Sequence, residues 1–436
     1  MSVALIRVVG GQRLAGTVRA GGRKNSAVAV LPAALLGMAP VQLDNLPGIA
    51  DVAAMIGLLQ GVGARIEPAG PGSVRIDGAG LRPWPADAAL ASRLRASYYL
   101  IGVQLARFGE ADVPLPGGCD IGLRPIDQHL KGFAAMGAAI ELVHGRIRAR
   151  AARLRGTHIY LDVTSVGATI NLMLAACGAE GTTVLENAAK EPHVVDVASL
   201  LLAMGAGITG AGTDVIKVRG GGLFGGAVHA IIPDEIEAAT FMIAAAGTAG
   251  RVRVDNVIPR HLEPVTAKLR EAGVEVDEGP DSVEVRAGGR CRAVNIKTQP
   301  YPGFPTDAQQ MMTALLSVAE GTSTVTETIW DGRFRFVDDL LRMGARIRVE
   351  GRTAVIQGVP GLSGAPVRAP DLRGAAALVL AGLFAAGETE VALGPYLDRG
   401  YEDLEGRLRN LGARIRREPA REDPLHGDPA SQSAAR

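Results

Sequence analysis

The 436-residue sequence has little charge imbalance and few aromatic residues. Its 46 Lys and Arg residues nearly balance 45 Asp and Glu residues, which leaves a net charge of +1, and aromatic residues make up 4%. Nucleic-acid binding depends on neutralising many phosphates, and a chain without a large basic field is not expected to do so. An acidic ligand must therefore be held by local clusters of Lys and Arg.

Cysteine and long apolar runs are also scarce. Cys119, Cys177 and Cys291 lie far apart, so their number and spacing argue against a disulfide framework or a zinc site. His129 and His193 stand in no metal-ligand spacing, and we expect no metal. No apolar run reaches the ~20 residues that span a membrane, and Arg and Gly interrupt the first residues too early for a signal peptide. We expect a cytoplasmic protein.

Two glycine motifs recur six times in the chain. In the first, an amphipathic helical stretch ends at a glycine that precedes a short β-prone run, as is typical of a left-handed helix cap. In the second, a glycine lies four residues before an apolar strand residue. The first set is Gly63, Gly137, Gly205, Gly273, Gly344 and Gly412, and the second is Gly37, Gly109, Gly181, Gly250, Gly321 and Gly387.

This repetition predicts the domain organisation. A chain of this length, 47% hydrophobic, exceeds what one core usually serves. Six units of about 70 residues, each with alternating helices and strands, suggest two α/β domains of three units. The alternation alone also fits a doubly wound sheet. Residues 421–436 lack apolar periodicity and are predicted to form a disordered tail.

Lys24 and Asn25 follow two glycines at the predicted start of a helix. Exposed amides and the helix dipole favour an anion there, which makes Lys24 a candidate ligand for one. A solvated Lys beside an Asn N-cap fits the same residues.

The Pro-rich segment around Cys119 is the most informative stretch. Cys119 follows two glycines, and Arg124 lies five residues further on. A thiol beside a guanidinium is expected to have a lowered pKa and to act as an acid or a nucleophile. Arg124 offers a guanidinium fork, Pro125 a fixed φ and Asp127 a hydrogen-bond acceptor, a combination that suits binding of a nucleotide base edge and a phosphate. An ordinary surface turn is the alternative interpretation of these residues. Cys177 lies on an apolar helix and is predicted to be a core residue.

Several other polar residues stand at predicted helix starts. Ser165 either caps a helix whose amides bind a diphosphate or only caps it. Asp307, behind two prolines, is either a general base or an N-cap. Three arginines of the last repeats either converge on a polyanion or lie on the surface, with the latter two predicted to begin helices: Arg333, Arg373 and Arg399.

Taken in order, these motifs resemble the enolpyruvyl transferase (EPSP synthase-like) family from about Arg7 to Arg417. The strings are Gly-x-x-Lys-Asn, Leu-Arg-Ala-Ser, Leu-Pro-Gly-Gly-Cys-x-Ile-Gly-x-Arg-Pro-x-Asp, Ser-Val-Gly-Ala-Thr, Glu-Asn-Ala-Ala-x-Glu-Pro, Phe-Pro-Thr-Asp, Asp-Leu-Arg and Asp-Arg-Gly-Tyr-Glu. The cysteine loop is that of the sugar-nucleotide branch. The resemblance implies a two-domain inside-out α/β barrel of six βαβαββ repeats, with a first domain of residues 1–22 plus 233–420 and a second of residues 23–232.

The resemblance also implies residue roles. Cys119 matches the general acid and the residue that fosfomycin alkylates, Asp307 the base, and Lys24 a third catalytic residue. Matches to phosphoenolpyruvate ligands are Lys24, Asn25, Arg95, Arg124, Arg373 and Arg399. Matches to nucleotide-sugar contacts are Arg124, Pro125, Asp127, Ser165, Val166, Gly167, Asp307, Ile329, Trp330 and Arg333.

The implied reaction transfers enolpyruvyl from phosphoenolpyruvate to the 3-hydroxyl of UDP-N-acetylglucosamine and releases phosphate. It is the first committed step of peptidoglycan precursor synthesis, and it requires no metal or organic cofactor. The implied partners are phosphoenolpyruvate and a uridine nucleotide sugar, with neither nucleic acid nor membrane; the oligomeric state stays open.

The chain departs from the family pattern at five positions. Val163 replaces a Lys, Glu235 an Arg, Tyr301 a His, Tyr99 a Trp and Arg23 a small residue. These changes fall where the family binds the diphosphate and the sugar. The acceptor therefore stays open between UDP-N-acetylglucosamine and another uridine nucleotide, such as UMP in nucleoside-antibiotic biosynthesis. A third hypothesis is an inactive nucleotide-binding paralogue.

Overall fold

The computed structural model describes residues 2–83, 85–117, 125–222 and 224–422. Cys119 and Arg124 lie outside the described residues, as do residues 423–436 of the predicted tail.

Thirteen α-helices lie within the described residues. They are α1 (Lys24–Ala33), α2 (Ala50–Gly61), α3 (Ala88–Arg93), α4 (Tyr99–Phe108), α5 (Asp127–Ala135), α6 (Val166–Cys177), α7 (Pro192–Met204), α8 (Glu235–Gly247), α9 (Pro259–Glu271), α10 (Gln309–Leu316), α11 (Val337–Arg342), α12 (Leu372–Phe384) and α13 (Leu404–Asn410). None of these helices is long and apolar enough to cross a bilayer.

Twenty-five strands accompany them in the same described ranges. They are β1 (Ser2–Val9), β2 (Ala15–Arg19), β3 (Val41–Asp44), β4 (Arg65–Gly70), β5 (Ser73–Asp77), β6 (Glu110–Pro114), β7 (Ala139–Val143), β8 (Arg146–Arg150), β9 (His158–Tyr160), β10 (Thr182–Glu186), β11 (Gly207–Thr209), β12 (Val215–Arg219), β13 (Val228–Ala230), β14 (Arg251–Asp255), β15 (Glu275–Glu278), β16 (Ser282–Arg286), β17 (Ile296–Lys297), β18 (Thr322–Thr326), β19 (Arg346–Glu350), β20 (Thr353–Gln357), β21 (Leu362–Ser363), β22 (Pro366–Arg368), β23 (Ala385–Ala386), β24 (Glu388–Ala392) and β25 (Arg414–Glu422).

The chain divides into two compact units, each with its own apolar core. The first unit comprises residues up to 20, residues 236–299 and the chain from residue 304 onward. The second comprises residues 21–235 together with the short segment 300–303. The chain thus enters the second unit after Ala20 and returns to the first after Glu235.

Within the described residues each unit contains three larger sheets, and five of these six share one plan. The first unit has the orders β22-β24-β1-β25, β15-β16-β14-β2 and β17-β18-β20-β19, together with the short pair β21-β23. The second unit has β13-β3-β5-β4, β11-β12-β10-β9 and β6-β8-β7. In the five four-stranded sheets, one edge strand pairs parallel and the other pairings are antiparallel. The predicted α/β fold with three repeats in each half is confirmed.

The first glycine motif has its structural cause in the helix ends. All six of its glycines have a positive φ, from 89° at Gly273 to 108° at Gly205. A side chain strains this conformation, so glycine ends the helix and turns the chain into the next strand. The second motif is less regular, since Gly37 has a φ of −77° and Ala249 takes the left-handed conformation in place of Gly250.

Central helices of the second unit approach each other closely at a glycine. A Cβ on Gly102 of α4 would collide with the Asn171 backbone oxygen of α6. Asn171 Oδ1 also accepts a hydrogen bond from Gly102 N at 2.9 Å. This contact fixes α6 against α4 and so positions the N-terminus of α6, which carries predicted site residues.

Candidate active site

Three predicted site residues of the first unit meet around one carboxylate. Asp307 lies in a 3₁₀ turn just before α10, and its Oδ1 accepts a hydrogen bond from Arg333 Nη2. Its Oδ2 accepts from Arg373 Nη2 at 3.1 Å. Both arginines are buried, whereas the Asp307 side chain is 26% exposed. Asp307 therefore does not cap α10, which was the alternative prediction.

The two guanidinium groups determine the protonation state of Asp307. Burial alone would raise the pKa of this carboxyl, but the charges and hydrogen bonds of Arg373 and Arg333 outweigh it. The pKa of Asp307 consequently lies well below its ordinary range. With both arginines in place, Asp307 is an ionised carboxylate and a weak base.

Arg373 is held by residues of its own motif and by Tyr401. It lies in the first turn of α12, where Asp371 Oδ1 accepts hydrogen bonds from Arg373 N and Gly374 N, each at 2.9 Å. The Arg373 guanidinium carbon is 5.4 Å from the centre of the Tyr401 ring, within the range of a cation–π contact. The Tyr401 hydroxyl shares a 2.9 Å hydrogen bond with Thr240. The prediction that Arg373 begins a helix is confirmed.

Arg399 is placed differently from the prediction. It ends a short 3₁₀ turn, Leu397–Arg399, and the next helix begins only at Leu404, with Asp403 as its N-cap. The prediction that a helix begins at Arg399 is wrong because Gly400, with φ −148° and ψ −1°, leaves the helical region and ends the turn.

Glu327 is a site-forming residue that the sequence analysis missed. Its buried carboxylate accepts hydrogen bonds from the Ile329 and Trp330 amides at 2.8 and 3.1 Å. It also accepts from the hydroxyls of Thr298 at 2.9 Å and Thr306 at 2.8 Å. Glu327 thereby joins the turn of Asp307 to the loop of Ile329 and Trp330, which are predicted nucleotide-sugar contacts. The hydrogen-bond partners of Glu327 lie 2 to 29 residues away in the sequence, and no local sequence pattern predicts these contacts.

Lys24 begins α1 in the second unit, and its environment is not that of a solvated lysine. Its Nζ lies 2.8 Å from Asp51 Oδ2, and its backbone N–H donates to Asp234 Oδ2 at 3.0 Å. The N-cap is Arg23, whose side chain makes no capping bond, while Asn25 lies inside the first turn. The alternative of an Asn N-cap is therefore wrong, because a carboxylate distant in sequence caps the helix.

A buried polar network supports the predicted nucleotide contacts at the start of α6. Ser165 is the N-cap, and its Oγ accepts from Ala168 N at 3.3 Å, which confirms the predicted cap. Asn171 Nδ2 donates to Tyr98 O at 2.8 Å and lies 3.0 Å from His129 Nδ1. Burial, with the nearby charge of Arg95, lowers the pKa of His129 to about 3, so the ring is neutral at neutral pH.

Glycine is required at the first turn of α6. A Cβ on Gly167 would press against the Tyr98 hydroxyl and His129 Nε2. Arg95 lies in the 3₁₀ turn Arg95–Tyr98, with its guanidinium carbon 5.8 Å from the Tyr98 ring centre. The predicted residues Val166 and Gly167 thus begin a helix that packs on the turn carrying Arg95.

A second polar group surrounds the start of α5. Asp127 begins this helix, while Pro125 is exposed just before it. Gln128 Nε2 donates to Asp127 Oδ2 at 2.8 Å, and Gln128 Oε1 accepts from Asp162 N at 2.9 Å. Lys131 Nζ donates to Asp162 Oδ1 at 2.6 Å, directly before the exposed Val163. Lys131 thus contacts the residue directly before Val163, the position at which the resemblance implies a lysine.

The two cysteines inside the described residues are buried, and burial raises the pKa of both thiols. Cys177 lies in the core on α6, as predicted, and burial raises its pKa to about 12. Burial likewise raises the pKa of Cys291 to about 11. In the part of the chain that the structure describes, no cluster of His, Cys, Asp or Glu has the arrangement of a metal site.

Comparison with known proteins gives close relatives over nearly the whole chain. The chain is 56% identical to UDP-N-acetylglucosamine 1-carboxyvinyltransferase 3 of Symbiobacterium thermophilum, and the match covers 95% of this chain and 98% of that protein. It is 53% identical to UDP-N-acetylglucosamine 1-carboxyvinyltransferase of Clostridium botulinum, covering 94% of this chain and 99% of that protein.

Solved structures share the architecture. The enolpyruvyl transferase NikO from Streptomyces tendae superimposes with a TM-score of 0.87 at 28% identity, covering 97% of this chain and 100% of that one. EPSP synthase from Acinetobacter baumannii gives 0.75 at 19% identity, with 95% and 100% coverage, a likeness that concerns the fold alone. The sequence pattern of EPSP synthase (3-phosphoshikimate 1-carboxyvinyltransferase) matches residues 8–408. The chain therefore belongs to the EPSP synthase family.

Proposed function

We propose that this protein transfers the enolpyruvyl group of phosphoenolpyruvate to the 3-hydroxyl of UDP-N-acetylglucosamine and releases phosphate. The observation that carries this proposal is the 53–56% identity, over nearly the full length, to relatives named for that activity. The reaction is the first committed step of peptidoglycan precursor synthesis.

The cationic residues suit an anionic co-substrate. Phosphoenolpyruvate carries a phosphate and a carboxylate, and guanidinium forks bind such groups through paired hydrogen bonds. We assign the phosphoenolpyruvate contacts to Lys24, Asn25, Arg95, Arg124, Arg373 and Arg399. Of these, Lys24 and Arg373 are held by neighbouring carboxylates, Asp51 and Asp307. Such prior order lowers the entropic cost of organising them around a ligand.

Asp307 becomes the base when the substrate anion engages Arg373. The ion pairs with Arg373 and Arg333 hold the pKa of Asp307 well below its ordinary range. An anion on Arg373 offsets part of that positive charge, so the pKa of Asp307 rises towards values suited to accepting a proton. Base strength is thereby coupled to the presence of phosphoenolpyruvate.

The chemistry proceeds by addition and then elimination. The acceptor oxygen forms a bond to C2 of phosphoenolpyruvate, its proton passes to Asp307, and C3 gains a proton from Cys119. The Cys119 thiolate then takes a proton back from C3, which re-forms the carbon–carbon double bond as the C2–oxygen bond to phosphate breaks. The proton held by Asp307 passes to the departing phosphate. The products are an enol ether and inorganic phosphate, so atoms and electrons balance without a cofactor.

The acceptor contacts are assigned residue by residue from the family resemblance. In the second unit they are Pro125, Asp127, Ser165, Val166 and Gly167, with Arg124 beyond the described ranges. In the first they are Asp307, Ile329, Trp330 and Arg333. Lys131, which contacts Asp162 directly before Val163, is a further cation near the acceptor contacts of the second unit.

The test is phosphate release from phosphoenolpyruvate by the purified full chain, with UDP-N-acetylglucosamine and UMP in parallel. We expect release with UDP-N-acetylglucosamine and little with UMP. Release with UMP alone would overturn the acceptor assignment. If neither acceptor supported phosphate release but the protein still bound a uridine nucleotide, the result would identify an inactive paralogue.

A further inference from the structure

Two different kinds of contact hold the guanidinium group of Arg373. Asp307 Oδ2 accepts a hydrogen bond from Arg373 Nη2 at 3.1 Å, and the ring centre of Tyr401 lies 5.4 Å from the guanidinium carbon. Arg373 and Tyr401 are only 3% and 2% exposed. The attraction between a cation and an aromatic ring is strongest where both are removed from water, so the contact with Tyr401 belongs to the strong kind.

The direction of the hydrogen bond between Tyr401 and Thr240 follows from the surroundings of Thr240. Thr240 Oγ1 donates to the backbone oxygen of Ile236 at 2.8 Å and lies 2.9 Å from the Tyr401 hydroxyl. A hydroxyl has one hydrogen, and a carbonyl oxygen can only accept. The hydrogen of Thr240 is therefore committed to Ile236, and the Tyr401 hydroxyl donates to Thr240.

This direction matters for the attraction between the ring and Arg373. Two hydroxyls in series, from Tyr401 through Thr240 to the Ile236 carbonyl, polarise one another. A phenol that donates its hydrogen carries more negative charge on its oxygen and ring, which strengthens the attraction to a nearby cation. Thr240 is fully buried on α8, so this helix anchors the far end of the ring.

The backbone of Tyr401 also closes the turn that carries Arg399. Tyr401 N donates to Leu397 O at 3.1 Å, and Arg399 N donates to Tyr396 O at 3.1 Å. Tyr401 thus connects the turn of one arginine assigned to phosphoenolpyruvate with the side chain of another, Arg373.

We infer that Tyr401 is a positioning residue that orients the Arg373 guanidinium for the anionic substrate. The inference rests on the proposed function, since it takes phosphoenolpyruvate as that anion. A carboxylate that holds an arginine takes up N–H donors and offsets positive charge, whereas an aromatic ring does neither. Tyr401 therefore holds Arg373 without competing with the anion, and it acts on the substrate through Arg373.

The variants that test this role are Tyr401→Leu, Tyr401→Phe and Thr240→Val. Tyr401→Leu removes the ring, and we expect the KM for phosphoenolpyruvate to rise about tenfold, with smaller changes in kcat and in the KM for UDP-N-acetylglucosamine. Tyr401→Phe keeps the ring and loses only its hydrogen bond, so the same KM should rise by about threefold or less. Thr240→Val removes the acceptor of that bond and should resemble Tyr401→Phe.

A Tyr401 that only fills the core would behave differently. It would lower the Tm in Tyr401→Leu and leave the KM for phosphoenolpyruvate unaltered, or raise this KM equally in Tyr401→Leu and Tyr401→Phe; either result overturns the inference. Phe108→Leu is the matched control, because the Phe108 ring centre lies 5.8 Å from the guanidinium carbon of Arg107, which is assigned to no substrate. This variant should leave the KM for phosphoenolpyruvate unchanged.

A measurement without turnover separates this inference from the proposed function. Titration calorimetry with phosphoenolpyruvate should show weaker binding to Tyr401→Leu than to the wild type, and binding to Tyr401→Phe should recover most of the loss. If this pattern held while the wild type released no phosphate with UDP-N-acetylglucosamine, the inference would stand and the proposed function would fail. Equal affinity in the wild type and Tyr401→Leu would overturn the inference alone.

Discussion

At the residue scale, Asp307 is defined by the two guanidinium groups that hold it. A carboxylate between two buried arginines is stabilised as an anion, and its proton affinity depends on what else the arginines bind. The sequence motif indicated either a base or a cap at this position. The structure excludes the cap, because Ala308 is the N-cap of α10. The Asp307 carboxylate instead pairs with Arg333 and Arg373, 26 and 66 residues further along.

Replacement of Asp307 by Asn should abolish most turnover. Loss of a positioned base typically costs about 10²–10⁴-fold in rate, and we expect kcat to fall within that range. Asp331→Asn is a matched control, because Asp331 is an exposed carboxylate paired with Arg352. Steady-state phosphate release measures both. Near-normal kcat in Asp307→Asn would exclude the assigned role.

The pH dependence should change when Arg333 is replaced by Met. Removing this cation raises the pKa of Asp307, so the acid limb of kcat/KM should move to higher pH than in the wild type. The ion pairs of Asp307 also make the stability of the folded protein depend on pH. The wild-type ion pairs contribute above the unfolded pKa of about 3.9, and their contribution is lost as pH falls through the lower folded pKa. An acid limb that stays in place would show that Arg333 does not control this carboxyl.

At the element scale, helix starts separate what sequence patterns predict from what they do not. Ser165 caps α6 with its own side chain, a local interaction that the pattern Ser-Val-Gly-Ala indicates. The cap of α1 comes from Asp234, 210 residues away, so the alternative of a local cap by Asn25 was wrong. The glycines that end helices were predictable because a positive φ is a local requirement. Glu327 was not, since it organises its loop through side-chain contacts across strands.

Glu327→Gln should perturb the loop of Ile329 and Trp330. The amide keeps the shape of the side chain but loses charge and one acceptor, and hydrogen bonds to a charged group contribute about 1.5–3 kcal/mol. We expect the KM for UDP-N-acetylglucosamine to rise more than that for phosphoenolpyruvate. Glu320→Gln is a control on an exposed carboxylate. Equal effects of both variants would contradict this role of Glu327.

Gly102→Ala tests the close approach of α4 and α6. The new Cβ would collide with the Asn171 backbone, and overpacking of this kind costs about 1–3 kcal/mol of unfolding free energy. Gly61→Ala in α2 meets nothing within 4 Å and should instead be neutral or stabilising, since alanine favours helix. Denaturant unfolding measures both. A Gly102→Ala protein as stable as the Gly61→Ala protein would refute the packing argument.

At the scale of the whole molecule, the sequence repeats correspond to three larger sheets in each described unit, and five of these six share one plan. The spacing of the repeats could be predicted from the sequence because each repeat needs a glycine between the end of a helix and the next strand. The alternation of helices and strands is equally compatible with a doubly wound sheet. Only the pairing of strands that are distant in sequence distinguishes that fold from two domains of three repeats. The ion pair between Arg23 and Glu235 depends on the fold in the same way, because the two residues lie 212 positions apart in the sequence.

The most direct test of the account is the identity of the product made by the purified full chain. Phosphoenolpyruvate labelled with ¹³C is incubated with UDP-N-acetylglucosamine, and NMR follows the labelled carbons. The account predicts vinyl signals of an enol ether attached to the sugar 3-oxygen, formed in step with phosphate. Phosphate release without that ether, or an ether formed only on UMP, would contradict it.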